Sequence, residues 1–338
     1  MLPRHFFISS SNAMTKALHP RELVGVILAG IVIYLITFAF IVAKPISLGE
    51  AGRYSESKAH YLAAFLGQRK IAIFAGSNGR YSHRCETVAK VTGIPCANLS
   101  TAAGSDLDWM MSPYWRYLEK GDVLYMPLEY WPLLARGARV GNEAPYVVRH
   151  EHAWLRMYPP SRLPFALFYF DIRYLISGIG EMLLARSGYQ RRTSILTMTT
   201  EGDERGVTSV KAVPFRSFID SLPTRVVSLN DYDDAEAVAA LDAVIDRARS
   251  IGVIVVGGLP TIFDDTVVPT AVINRLRDLY ESRGACFLVL PNLSKYPRSD
   301  FFDTAYHLQE AFQIAHSTAL APRLAEISRT SLCPEAAR

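Results

Sequence analysis

The chain has 338 residues, half of them hydrophobic, with 36 lysines and arginines against 32 aspartates and glutamates and a formal net charge of +4. So small an excess, with no basic block, excludes a surface that tracks phosphates, and no nucleic acid partner is expected. The four cysteines (Cys85, Cys96, Cys286 and Cys333) lack the paired spacing of a metal site, and neither metal nor cofactor is expected.

Taken in chain order, a segment of residues 1–22 precedes the uncharged run Leu23–Ala43. Its 21 residues match the ~20 that a helix needs to cross a hydrocarbon core. A secretory signal has a shorter apolar region, and Ile41-Val42-Ala43 before Lys44-Pro45 is a poor cleavage site, so a retained anchor is expected. Arg4, Lys16 and Arg21 before the run, against Lys44, Arg53 and Lys58 after it, give only a weak charge bias. Residues 44–68 read as a linker or helix, and 69–328 as one large α/β domain before a frayed tail, 329–338.

Within that domain, short apolar runs alternate with helical periodicity, the pattern of a parallel sheet covered by helices. Strands are predicted at 70–75, 94–99, 122–128, 251–256 and 285–290, and helices at about 82–92, 106–119, 233–250, 270–283 and 306–328. That order suggests a five-stranded, doubly wound parallel sheet. Residues 131–230 form a large insertion around the apolar segment Leu163–Leu184. Asp171, Arg173 and Glu181 within it disfavour a second span, so a helix on the sheet or in the membrane interface is expected. Cys85 and Cys96 can pair if the domain lies outside the cytoplasm, but two buried thiols are the simpler expectation.

Two groups of residues can carry chemistry. Ser77, in Phe74-Ala75-Gly76-Ser77-Asn78-Gly79, follows the first strand, where open parallel sheets bind ligands; an ordinary Gly-Ser-Asn turn is the plainer reading. Asp303 and His307, after the last strand, are spaced to share one face of a turn or helix, so that a carboxylate can fix an imidazole tautomer. Asp303 as a helix cap beside an unrelated histidine is the alternative. Both loops open on the same sheet edge, which would unite a serine, a base and an orienting acid.

These residues resemble the SGNH/GDSL hydrolase-like superfamily, in particular its membrane-anchored branch associated with bacterial exopolysaccharide synthesis and acylation. The resemblance covers 71–130 and 284–325 and rests on Gly76-Ser77-Asn78, on Asn98 to Gly104, on Lys120-Gly121-Asp122-Val123 with Pro127-Leu128-Glu129-Tyr130, and on Phe302-Asp303-Thr304 with Tyr306-His307-Leu308. It implies a flavodoxin-like fold, Ser77 as nucleophile, His307 as base, Asp303 as its orienting acid, and an oxyanion hole from Ser77 and Gly104. Two departures stand out. The third block's asparagine is missing where Glu129 stands, leaving Asn78 as a replacement donor, and three residues rather than two separate Asp303 from His307.

The function implied is a serine esterase or O-acyltransferase acting on acyl groups, with acetyl expected, of an extracytoplasmic polysaccharide or acylated sugar. A membrane acyltransferase or polysaccharide synthase is the implied partner. The expected location is a single-pass inner-membrane protein with a cytoplasmic N-terminus and a periplasmic domain. The rival is a non-catalytic accessory protein of the same fold, since fold does not imply function. A cytoplasmic nucleotide-binding domain is a third class, but Gly76 and Gly79 lack the fuller glycine fingerprint. Among lesser candidates, Glu129, Tyr130 and Trp131 can contact substrate, with Trp109, Tyr114 and Trp115 as further aromatics. His150-Glu151-His152 reads as a polar loop, and Gly257-Gly258 as a turn.

Overall fold

In the computed structural model, which describes residues 19–41, 50–101, 107–130, 172–187, 197–232, 235–331 and 333, the first apolar run is helix α1 (Pro20–Ile41). Pro20 opens it, where a missing N–H leaves no partner unmet, and the Glu22 carboxylate accepts the His19 N–H at 2.9 Å. Nearly all its apolar side chains are exposed, and among the described residues it is the helix long and apolar enough to cross a membrane.

After α2 (Glu50–Ala63) come β1 (Ile71–Ile73), α3 (Ser77–Ser82), α4 (Cys85–Thr92), β2 (Cys96–Asn98), α5 (Leu107–Met111) and β3 (Val123–Met126). Helix α6 (Ile172–Arg186) belongs to the insertion. Then follow α7 (Ala235–Ser250), β4 (Ile254–Gly258), β5 (Ile262–Phe263), α8 (Thr270–Glu281), β6 (Cys286–Leu288), β7 (Lys295–Tyr296) and α9 (Glu310–Thr330). The main sheet has the order β2-β1-β3-β4-β6 and every pair is parallel. A separate two-stranded pair, β5 with β7, is too short for periodicity to reveal.

Alternation along the strands feeds two cores. Ile71, Ile73, Val123 and Tyr125 join Val88, Leu320, Leu324 and Ile327 from α4 and α9. Ala72, Phe74, Leu124 and Met126 join Leu62, Leu241, Val244, Val272 and Leu276 from α2, α7 and α8. Strands buried on both faces need apolar residues at successive positions, which is why they read as unbroken runs. At the opposite end from the candidate site, Lys70 Nζ lies 2.9 Å from Asp122 Oδ2, both almost wholly buried, and Asp122 Oδ1 accepts the Lys70 N–H at 3.0 Å. This pair fixes β1 against β3, so Asp122 has a structural task.

Several expectations need correction. The helix predicted at 82–92 is two helices, α3 and α4, broken at His83-Arg84. Gly257 and Gly258 are the last residues of β4 rather than a turn: a Cβ on Gly257 would stand 2.6 Å from the Tyr280 ring, and one on Gly258 would overlap Tyr125. The cysteines are not free thiols but two disulfides, Cys85–Cys96 and Cys286–Cys333. The first ties the start of α4 to the start of β2, and the second ties β6 to the chain beyond α9. Of the apolar segment Leu163–Leu184, the part from Ile172 onward is helical and packs on α1, and residues 163–171 lie outside the described residues.

Candidate functional site

The carboxyl edge of the sheet presents the turns after β1, β3 and β4 together with the loop 301–308. Ser77 is the first residue of α3, with Gly76 as its N-cap. Gly79 lets this short helix lie against the end of β2, because a Cβ there would overlap Ser100 Oγ and stand 2.7 Å from Ser100 Cβ. Ser100 cannot retreat freely: its Oγ accepts the buried Ala75 N–H at 2.9 Å.

The loop carrying Asp303 and His307 is closed by its own backbone. Phe301 bridges Leu308, and the Phe302 N–H donates to His307 O at 2.7 Å. Asp303 and His307 therefore face each other across a turn, and Asp303 Oδ1 lies 2.6 Å from His307 Nδ1. A carboxylate only accepts, so the Nδ1 proton points to Asp303 and Nε2 is left to act as a base. The extra residue between acid and histidine does not loosen their contact. Nor does Asp303 cap the last helix, which begins at Glu310 with Gln309 as its N-cap.

Two hydroxyls fasten this loop to α3. Ser82 Oγ donates to Tyr306 O at 2.6 Å, and Thr261 Oγ1 lies 2.7 Å from both Ser82 Oγ and Asn78 Oδ1. The Tyr81 ring stacks on the His307 imidazole, with centroids 4.2 Å apart and planes at 15°. Ser77 and Tyr81 are one turn apart on the same face of α3, so His307 is held against the helix face that Ser77 begins. Arg80 lies over the Tyr81 ring and pairs with Glu204, tying α3 to the 199–204 turn.

Glu129 occupies a place the sequence did not disclose. It is fully buried, and its carboxylate accepts the Gly76 N–H at 2.9 Å and the Asn78 N–H at 2.6 Å, the amides on either side of Ser77. Burial pushes its carboxyl above the ordinary range, while the two amides and the nearby charge of His307 pull it back.

Asn78 is accordingly not a free oxyanion donor. Its backbone N–H is held by Glu129, its side-chain amide donates to Pro127 O at 2.9 Å, and its Oδ1 accepts from Thr261. Glu129 and Tyr130 are not open to substrate either, being about 1% exposed, and Tyr114 and Trp115 belong to the core. Gly104, Trp131 and His150-Glu151-His152 lie outside the described residues, and so does the Trp109 side chain. Asp303 and His307 are thus joined to each other, and their loop is fastened to the helix that Ser77 begins. Tyr81, Ser82 and Thr261 are participants that sequence reasoning missed, although Tyr81 is signalled by its four-residue spacing from Ser77, and Thr261 by its place beyond a strand's carboxyl end.

Behind the site lies a second polar layer. Asp203 accepts from Asn98 Nδ2 at 2.9 Å and from the Cys85 N–H at 2.7 Å, and burial raises it from 3.8 to about 6. His83 contacts His316 at 3.3 Å between Nε2 atoms, and burial lowers His83 from 6.5 to about 4. Lys58, buried and donating to Ser100 O, is pushed well below its usual value by burial and by Arg80. Comparison with protein-family models, with curated proteins and with solved structures gives no match for this chain.

Proposed function

We propose that this protein is a membrane-tethered serine esterase or O-acyltransferase of SGNH-like, doubly wound architecture, acting on acyl groups, with acetyl expected, of an exported polysaccharide. The observation that carries this reading is the Asp303–His307 hydrogen bond in a loop fastened to the helix that Ser77 begins. Serine is a weak nucleophile at neutral pH and needs an adjacent base, which His307 Nε2 supplies. Ser77 Oγ attacks the acyl carbonyl as His307 takes its proton, and the Asp303 carboxylate stabilises the imidazolium that forms. The Ser77 amide, first in α3, holds the oxyanion with Gly104 as the expected second donor. His307 then returns the proton to the departing sugar hydroxyl, leaving the acyl group on Ser77. Water or a second sugar hydroxyl releases it, by attack that His307 again assists.

The two disulfides support an oxidising compartment, hence a periplasmic domain and a cytoplasmic N-terminus with α1 as the anchor. The test is hydrolysis of a chromogenic aryl acetate by the full chain in detergent. Ser77→Ala and His307→Ala are each expected to lower kcat/KM by at least about 10³-fold, and equal rates in all three would refute the reading.

A specific observation favours one rival, a non-catalytic accessory protein that binds polysaccharide or a synthase or acyltransferase complex: Glu129 already occupies the Gly76 and Asn78 amides. That rival predicts saturable polysaccharide binding that Ser77→Ala leaves intact, with no turnover of any ester.

A further inference from the structure

Helix α6 is apolar on two sides. Leu175, Ile179 and Met182 face inward and join the large core cluster, where Tyr34 and Phe38 of α1 also pack. On the other side, Ile176, Leu183 and Leu184 are 61%, 58% and 54% exposed, and Gly180 continues the same stripe at helical spacing. A stripe of this kind needs an occupant, because large side chains on the outward side of an already docked helix gain nothing from water.

Helix α1 indicates which occupant. Tyr34 and Phe38 lie in its last two turns, within roughly 10 Å of its end at a rise of ~1.5 Å per residue. Beside them Ile33, Ile36 and Phe40 stay 61%, 65% and 53% exposed, so the apolar surface that a hydrocarbon core would surround runs from Leu23 into those last two turns. Since α6 packs on α1 and shares a core cluster with its last two turns, it is held at the depth of the adjoining interface. Its ends carry Arg173 and Arg186, and Glu181 interrupts its length, which suits a helix lying along the interface better than one crossing the bilayer.

We propose that the Ile176–Leu183–Leu184 face of α6 is embedded in the lipid of the leaflet on the domain's side, so that the protein grips the bilayer through a span and a second, interfacial helix. This sets the domain's tilt as well as its distance. It rests on α1 spanning the membrane and not on any catalytic role for Ser77.

The test uses the full chain reconstituted in phosphatidylethanolamine/phosphatidylglycerol vesicles. All four native cysteines are in disulfides, so a nitroxide can be placed singly at Leu183→Cys, at Ile27→Cys within α1, or at Arg323→Cys, which is exposed on α9 over the other core. Collision with oxygen, which partitions into lipid, is compared with collision with a water-soluble nickel chelate. The Leu183 label is expected to favour oxygen over nickel by several-fold relative to the Arg323 label, at a shallower depth than the Ile27 label. A Leu183 label as open to nickel as the Arg323 label would overturn the proposal. One shielded from both reagents would also overturn it, because a protein would then cover the face. An Ile27 label open to nickel would instead refute the span itself.

Discussion

Gly79→Ala is the sharpest structural perturbation the site offers. The added Cβ would overlap Ser100 Oγ and lie 2.7 Å from Ser100 Cβ and 3.0 Å from Ala75 Cβ, all inside a buried contact. If α3 stays in place, Ser100 must rotate and abandon the Ala75 N–H, leaving a buried donor without a partner at about 1–3 kcal/mol. If Ser100 stays, α3 must move outward, and overpacking of this kind costs about 1–3 kcal/mol. Either way the loss is about 1–3 kcal/mol, a fall in melting temperature of roughly 2–12 °C for a domain of this size. Displacing Ser77 by ~1 Å should also cost up to about 10²-fold in ester hydrolysis. Thermal unfolding of the full chain in mild detergent, beside the aryl acetate assay, measures both. Ser100→Gly in the same chain removes the clashing atoms and should restore part of the activity. A Gly79→Ala protein that melts within about 1 °C of the parent and hydrolyses at the parental rate would refute the close approach of α3 to β2.

Glu129→Gln presents an amide NH2 to one of two backbone donors, so one charge-assisted contact at the Ser77 turn is lost, worth about 1.5–3 kcal/mol; kcat/KM should fall roughly 10- to 100-fold with the melting temperature also lowered. An unchanged rate would show that the turn holds without Glu129. Reduction should destabilise the domain by about 3 kcal/mol for Cys85–Cys96 and about 4 kcal/mol for Cys286–Cys333 on loop-closure grounds, from separations of 11 and 47 residues. Thiol titration of the unfolded, unreduced chain should find no free thiols, and four would contradict both bridges. Neutral His83, lowered from 6.5 to about 4, contributes stability that is present above pH 6.5 and lost as pH falls towards 4, about 3 kcal/mol in all. Asp203, raised from 3.8 to about 6, opposes it: its contribution is full below pH 3.8 and lost as pH rises through 6. Asp203→Asn should therefore steepen the fall in melting temperature between pH 7 and pH 4.5, and a shallower fall would contradict these assignments.

The strands were legible because a sheet buried on both faces leaves no alternation to interpret, only apolar runs such as Lys70–Ala75 and Asp122–Leu128. Helix α3 was not, because Ser77-Asn78-Gly79-Arg80-Tyr81-Ser82 has no apolar period and is held by hydrogen bonds to Glu129, Pro127 and Thr261, all distant in sequence. For Asp303 and His307 the spacing allowed either a pair across a turn or a capping Asp303 beside an unrelated histidine, and only the fold of the 301–308 loop decides for the pair. Glu129 was misread for the opposite reason: its partners are amides some fifty residues earlier, and a carboxylate at a strand end looks the same whether it meets substrate or backbone. Gly257 and Gly258 read as a turn because glycine pairs punctuate loops, yet here they make room for the rings of Tyr280 and Tyr125 inside β4. The choice between thiols and disulfides depended on α4 returning beside β2, which no spacing rule reveals.

His307 and Asp303 are proposed to activate Ser77. The direct measurement is covalent capture: the full chain is treated with a serine-reactive fluorophosphonate and the modified residue is located by peptide mass spectrometry. A single adduct on Ser77 is expected in the parent, none in Ser77→Ala, and strongly slowed labelling in His307→Ala. An unlabelled Ser77 in a folded protein with both disulfides intact, or labelling at the same rate without His307, would contradict the proposal.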